Sequence, residues 1–514
     1  MAEFILPNGK KVEAYPITSS QQMMYLMSLK YGSGYPVNNI GMGLYWKGEM
    51  DKAVMKEAIY EAISRCDTMR LRFIMGKKLQ LHQYVVEDSG IKVEEWDYSR
   101  MTVDEAYEKL LSFSRVNIPM FNRKLHRIIL IDFADGYKGI FMRIQHLTMD
   151  AYSLKVFLND VMEIYLHKTK GTPYPKPMKP YIPTLEKDLA YEESEEKEAD
   201  KQYWFDSLAK ATEPIFTDFM LESRLKEQQK EKPGQRYADI HSGLPDANMM
   251  KFHMGAEESR RLFEMCEDRN LSVFAAISMG VRTGLSCLND NQQDVSFKMI
   301  INRRGTIAEK KSGGLRINFL PMRSIIAPEE TFCQGVEKIS QVQGEMYAHS
   351  RLSFLETLKE RHKSMPKEAK FDSTYDSFGL SYQPPVKITC IDEEMEKSLR
   401  SIWYNNGAIM IPLYVTVLHR TNDGGLDFIF EYRQEPEAEY DLRVLYSKIE
   451  KALILGAENP DITVGEILDK IALTDAEREG KPECVQSKSL LKSLKTTWKL
   501  TKSRVKTILS LISA

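Results

Sequence analysis

Residues 125–131 and 139–144 are two β-rich runs joined by the turn Asp132-Phe133-Ala134-Asp135-Gly136, and a segment of helical period follows at 153–168. That segment places Leu154, Phe157, Leu158, Val161, Ile164 and Tyr165 on one side, so it has an apolar stripe to bury. A strand pair beside such a helix constrains the chain to a mixed fold, because a sheet face and a helix stripe are each stable only when covered.

The same alternation continues on both sides. Residues 37–47 read as strand, and 51–65 as a helix with Val54, Ala58, Ile59, Ala62 and Ile63 in phase. Residues 71–73 and 79–86 read as a strand pair around Gly76, and Thr18 or Ser19 is placed to cap a helix beginning near Gln21. Pro173, Pro175, Pro177, Pro180 and Pro183 end the 153–168 helix and mark a boundary in composition. Beyond it, the acidic stretch 186–201 reads as a solvated helix leading into Tyr203-Trp204-Phe205, and 224–236 as a mobile polar loop. From about Asn248, helices at 258–269, 272–288 and 440–455 alternate with strands at 295–301, 315–321, 375–382, 408–419 and 426–432. Asp423-Gly424-Gly425 joins the last two as a hairpin signal.

A chain of 514 residues exceeds the size at which one core usually stops growing, so two lobes are expected. A net charge of -2 gives no reason to expect a nucleic-acid partner. The first residues lack a signal-peptide pattern, and no run is apolar for long enough to span a bilayer. Cys66, Cys266, Cys287, Cys333, Cys390 and Cys484 are scattered, without metal-ligand spacing. That usage fits reduced thiols in a cytoplasmic protein and no metal site.

His146 sits where the 139–144 strand ends and the chain turns toward the helix, a place where functional side chains often stand. A histidine in an apolar strand is by itself as readily a hydrogen-bonded core residue. Asp150, four residues on, can order the same turn through its backbone or through an arginine. No Gly-x-Ser-x-Gly, Cys-His pairing or phosphate loop signals a covalent nucleophile.

Gln145-His146-Leu147-Thr148-Met149-Asp150-Ala151 resembles the His-His-x-x-x-Asp-Gly motif of the condensation domains of nonribosomal peptide synthetases. Other segments match in the family's order. Arg65 to Phe73 resembles its Arg-His-Glu-x-Leu-Arg-Thr-x-Phe segment, and Pro16 to Leu26 its opening motif. Trp204 follows the central helix as a Tyr-Trp pair does in the family, and Asn302-Arg303-Arg304, Gly314 to Arg323 and Tyr382-Gln383 resemble three segments of its second half. The resemblance runs from about Tyr15 to Leu468. It implies an α/β (α+β) chain of two chloramphenicol-acetyltransferase-like lobes, a V-shaped pseudo-dimer with a tunnel at the junction. The lobes are expected at 1–180 and 181–475, with a tail at 476–514.

By the same resemblance, His146 is the expected catalytic residue, with Gln145, Asp150, Ala151, Arg303 and Arg304 in structural roles around it. Arg303 or Arg304 is expected to pair with Asp150. Met149, Asn318, Tyr382 and Gln383 are expected to line the tunnel. The implied reaction is attack of an amine or hydroxyl on an acyl thioester in peptide or lipopeptide biosynthesis. No bound cofactor is implied; the acyl group would arrive on the phosphopantetheine arm of a separate carrier protein, or on CoA. The alternatives are a CoA-dependent O- or N-acyltransferase and an inactive domain that recruits a carrier protein. Gln145 can orient but cannot titrate, and Ala151 suits a backbone of negative φ but not a positive one.

Residues 487–514 hold seven basic side chains and no acidic one, with Leu491, Leu494, Trp498, Val505, Ile508 and Ile512 near helical spacing. Such a segment can dock on a carrier protein or an anionic membrane surface, or pack on the body. A cytoplasmic monomer, peripheral at the membrane if the tail binds lipid, is the expectation.

Overall fold

A computed structural model describes residues 1–479, except 33, 122, 211–212, 241–244, 371–372, 386–387, 389–390, 392 and 436–437. The basic tail, Cys390 and Cys484 lie outside the described residues.

Two sheets organise the chain. The first has five strands in the order Arg400–Tyr404, Asn39–Lys47, Tyr137–Gln145, His126–Phe133 and Val93–Tyr98. The run read as a hairpin from sequence is its centre, with His126 opposite Ile144 and Ile131 opposite Gly139. Helices Lys52–Arg65 and Ala151–Lys170 cover one face through Ala58, Ile59, Ala62, Phe157 and Val161. Helix Val103–Ser114 sends Leu110 to the other face, against Ile129, Phe141 and Tyr404.

The second sheet has six strands in the order Ala247–Met254, Leu426–Arg433, Leu413–His419, Phe378–Gln383, Asp294–Asn302 and Ile317–Ile325. Phe378–Gln383 runs parallel to both neighbours, and the other pairs are antiparallel. Helix Val273–Leu288, buried from Ala275 onward, lies over this sheet and under helix Ala438–Glu458. Gly280 and Gly284 permit that crossing. A Cβ on Gly280 would stand 2.4 Å from Leu453, and one on Gly284 would meet the backbone nitrogen of Ile449 at 3.2 Å.

One sequence expectation is corrected here, and two further pairings were not anticipated by it. Residues 224–236 contain a helix, Arg224–Gln229, whose Leu225 is buried against Phe216, Ala238 and Ile240. Arg400–Tyr404, numbered within the second lobe, pairs with Asn39–Lys47 and so completes the first lobe's sheet. Residues 1–16 form the strands Ala2–Ile5 and Lys11–Pro16, part of a four-stranded sheet with Leu81–Val85 and Leu71–Met75.

Candidate active site

His146 follows directly on the Tyr137–Gln145 strand, and four residues later helix Ala151–Lys170 begins. The turn between them is tied from several sides. The His146 amide donates to the Asn38 carbonyl at 2.6 Å. Gln21, which closes a capping box with Thr18, extends its amide nitrogen to the Leu147 carbonyl at 2.9 Å. Thr148 donates its hydroxyl to the Gln145 carbonyl at 2.8 Å, so the His126 Nε2 beside it, at 2.9 Å, is a donor. His126 is buried and neutral: burial, with the Arg72 charge adding, brings its pKa down to about 3.

Asp150 caps the helix, accepting from the Ser153 amide at 2.9 Å. Arg304 takes both its oxygens, at 2.9 and 3.0 Å, and the Arg316 amide donates to one of them at 2.8 Å. Both side chains of the pair are almost fully buried. Burial alone would raise the Asp150 pKa, but the Arg304 charge and these hydrogen bonds outweigh it and hold the carboxyl below its ordinary value. A carboxylate so committed has no free lone pair directed at a substrate proton. Its work is to fix where the turn ends and the helix starts.

Arg304, and not Arg303, is therefore the partner of Asp150. Arg303 donates instead to the Arg351 carbonyl at 3.0 Å and to Ser20 Oγ at 2.8 Å. Gln145 is buried away from open space, and its amide donates to the Ile118 carbonyl at 3.2 Å. Ala151 is the first residue of the helix and is not among the positive-φ residues, which is why an alanine is accommodated.

Two cavities meet at His146. The larger, of about 780 Å³, lies between the Ala151–Lys170 helix and the second sheet. The smaller, of about 180 Å³, lies between the two sheets. His146, Ala151, Ile300, Ile317, Gln383 and Tyr414 line both, so the junction is built from both halves of the chain. His146 is half-buried, and its Nδ1 has no hydrogen-bond partner among the described residues. Burial lowers its pKa, against the opposing pull of the Asp150 charge and the backbone of His146 and Met149. At neutral pH the ring is a neutral imidazole, one nitrogen of which carries a lone pair.

Of the four tunnel candidates, Gln383 stands at the junction and Tyr382 lines the larger cavity, its hydroxyl 3.3 Å from His419 Nδ1. Met149 and Asn318 do not line either cavity. Met149 is fully buried in the core of the first sheet. Asn318 donates to the Ser350 and Leu352 carbonyls at 2.9 and 2.7 Å, while its neighbour Ile317 faces the cavities.

Sequence reasoning missed one face of the helix after His146. Tyr152, Lys155, Asn159 and Glu163 all line the larger cavity, and the last three recur every fourth position, a signal that was present. Burial brings Lys155 down to about 8, and its ammonium donates to the Pro384 carbonyl at 3.1 Å. Asp160, 3.0 Å from Arg65, is pushed up to about 6 by burial. Lys176, Lys310 and Lys311 add positive charge to the same cavity.

The family model described as Condensation domain matches residues 11–466. Among curated proteins, the dimodular nonribosomal peptide synthase of Bacillus subtilis (strain 168) is 21% identical over 480 residues, covering 90% of this chain and 18% of that protein. Surfactin synthase subunit 1 of the same organism is 20% identical over 478 residues, covering 91% of this chain and 12% of that protein. The chain thus spans less than a fifth of the length of these relatives. Among solved structures, the first condensation domain of the calcium-dependent antibiotic synthetase in complex with a substrate analogue superposes with a TM-score of 0.72 at 19% identity, covering 88% of this chain and 99% of that one. The condensation domain from Monacolin K polyketide synthase MokA gives 0.72 at 14% identity, covering 88% and 99%. A starter condensation domain of rhizomide synthetase, a mutant in complex with C8-CoA, gives 0.69 at 18%, covering 88% and 96%.

Proposed function

The chain belongs to the condensation-domain family, and on that premise we propose that it is an acyltransferase joining an amine or hydroxyl to a carrier-bound acyl thioester around His146. The observation that carries the proposal is the neutral imidazole at the junction shared by two cavities. Each cavity then admits one reactant, and the two meet at the histidine.

In the proposed step the nucleophile's nitrogen or oxygen attacks the thioester carbonyl carbon. His146 accepts the proton that the nucleophile loses, the carbon–sulfur bond breaks, and the thiol leaves with that proton. An amide or ester and a free thiol result. A thioester is already activated, so most of the catalytic work is alignment of the two reactants, with the general base contributing about 10²–10⁴-fold. Asp150 and Arg304 contribute by holding the turn that carries His146.

The larger cavity suits the arm of a carrier protein. Gln383 lines this cavity, and its side-chain amide is of the kind that can pair with an amide of a pantetheine chain. Lys155, Lys176, Lys310 and Lys311 offer charge to a phosphate. That charge also favours a CoA thioester as donor, the second reading. Carrier proteins on other chains are the proposed partners, with the segment 487–514 as a docking element for a carrier or an anionic membrane. A cytoplasmic location is proposed as well, supported by the free, buried thiols of Cys66, Cys266, Cys287 and Cys333.

The test is intact-mass analysis of acyl-carrier thioester, acceptor and protein, with acyl-CoA as a parallel donor. Product is expected, and His146→Ala is expected to lose most of it. Equal turnover by that variant removes the catalytic assignment. Carrier binding without product from any thioester would favour the recruiting domain instead.

A further inference from the structure

The smaller cavity holds a carboxylate that acyl transfer at His146 does not use. Glu431 lies on strand Leu426–Arg433, directly across from Tyr414 on one side and Met249 on the other, and all three line the cavity. Trp403, Tyr404 and Ile429 supply further wall. Among the described lining residues Glu431 is the single carboxylate, and none is lysine or arginine.

The Asn405 amide donates to Glu431 Oε1 at 2.9 Å, and among the described residues no other partner and no ion pair reaches the carboxylate. Burial pushes its carboxyl above the usual range, with the Asn405 hydrogen bond opposing. A carboxylate in an apolar cavity is costly without a counter-charge. Here the open cavity is where a counter-charge can enter. The aromatic rings of Trp403 and Tyr414 in the wall attract cations rather than anions.

We propose that the smaller cavity receives a substrate group ending in a protonated amine, which Glu431 binds. Glu431 lines only this cavity and not the larger one, so it stands off the junction. The amine it binds is a second nitrogen of the substrate, distinct from the group that reacts beside His146. Glu431 is a specificity-determining residue in this reading, which rests on the condensation function proposed above.

Binding tests it without turnover. n-Pentylammonium and the neutral 1-pentanol would be titrated by ligand-observed NMR into the wild type, Glu431→Gln and Met249→Lys. The ammonium is expected to bind the wild type and to weaken about tenfold or more in Glu431→Gln, as loss of a charged hydrogen bond requires. Pentanol should bind the wild type and Glu431→Gln equally. Met249→Lys supplies an internal cation across the strand and should abolish the ammonium preference, which keeps the test open should the glutamine variant misfold. Equal binding of both probes by the wild type, or undiminished ammonium binding by Glu431→Gln, overturns the proposal; it would then leave a cavity for a neutral chain. Ammonium preference in a wild type that makes no product from any thioester would sink the condensation reading alone.

Discussion

Arg304 grips Asp150 with two hydrogen bonds of 2.9 and 3.0 Å between residues 154 apart in sequence, and both side chains are almost fully buried. The pair joins the segment after strand Asp294–Asn302 to the start of helix Ala151–Lys170. It thereby fixes the turn that presents His146 against the second sheet.

Removing one partner of that pair should be severe. Arg304→Met leaves the Asp150 charge buried without compensation and is expected to lower the free energy of unfolding by about 3–5 kcal/mol. Asp150→Asn combined with Arg304→Met should recover part of the loss, because no naked charge remains. Urea unfolding of the single and double variants measures both.

Activity should follow the protonation of His146. Its pKa is lowered by burial, so the neutral, proton-accepting form persists to below pH 6.5 and the acid limb of kcat/KM is expected under that value. A limb at or above pH 6.5 in the wild type would contradict the assignment of this half-buried ring as the base. The rate profile from pH 4.5 to 8 reads it directly.

His126 should make the fold acid-sensitive. Its folded pKa is about 3, whereas in the unfolded chain it titrates near 6.5. The unfolded state therefore binds the extra proton between those values, and stability falls as pH drops from 6.5 toward 3. The loss approaches on the order of 4 kcal/mol at the acid end. His126→Gln keeps a donor for Thr148 and removes this titration. Its stability should vary less with pH across that window in thermal melts.

Ala151 stands at the junction of the two cavities. Ala151→Leu is expected to obstruct that junction and cut turnover at least tenfold, while the melting temperature stays within a few degrees because the added atoms enter open space. Ala151→Gly should keep both turnover and fold, at a stability cost of about 0.5–1 kcal/mol at most. Steady-state kinetics beside melting curves separates the two effects.

Gln145 gives a contrasting case. Its amide bonds the Ile118 carbonyl and its side chain lines neither cavity. Gln145→Ala is expected to cost about 1 kcal/mol of stability and to leave KM within about twofold, as measured by urea unfolding and kinetics.

Much of the central architecture was legible because it is local. The hairpin before His146 and the helix after it follow from alternation and from a 3.6-residue stripe, and each lies close to its expected place. Several of the strands missed were edges: Val93–Tyr98 and Arg400–Tyr404 close the two sides of the first sheet, and Ala247–Met254 closes one side of the second. Edge strands carry polar residues and lack the continuous apolar run of a central strand, so their signal is weak. Arg224–Gln229 reads as loop because only Leu225 marks it as apolar, and a distant patch of Phe216, Ala238 and Ile240 makes that residue count.

The site divided in the same way. Asp150 as an organiser of the turn and His146 at the end of a strand follow from sequence spacing, since both depend on neighbours within a few residues; the structure makes that organiser a helix cap. Strand alternation puts Ile317 in the cavity and turns Asn318 to the carbonyls behind it, a choice of face that one residue of register decides. The sequence by itself thus determined a mixed α/β chain of the condensation type, with a histidine at a strand end and an aspartate placed to order the turn after it. Only the tertiary structure decided that Arg304 rather than Arg303 meets Asp150, that two cavities share His146 in their lining, and that Glu431 faces the smaller one with no lysine or arginine among its described lining residues. Those relations link residues more than a hundred positions apart, and they arise from how the two sheets pack, which no local spacing records.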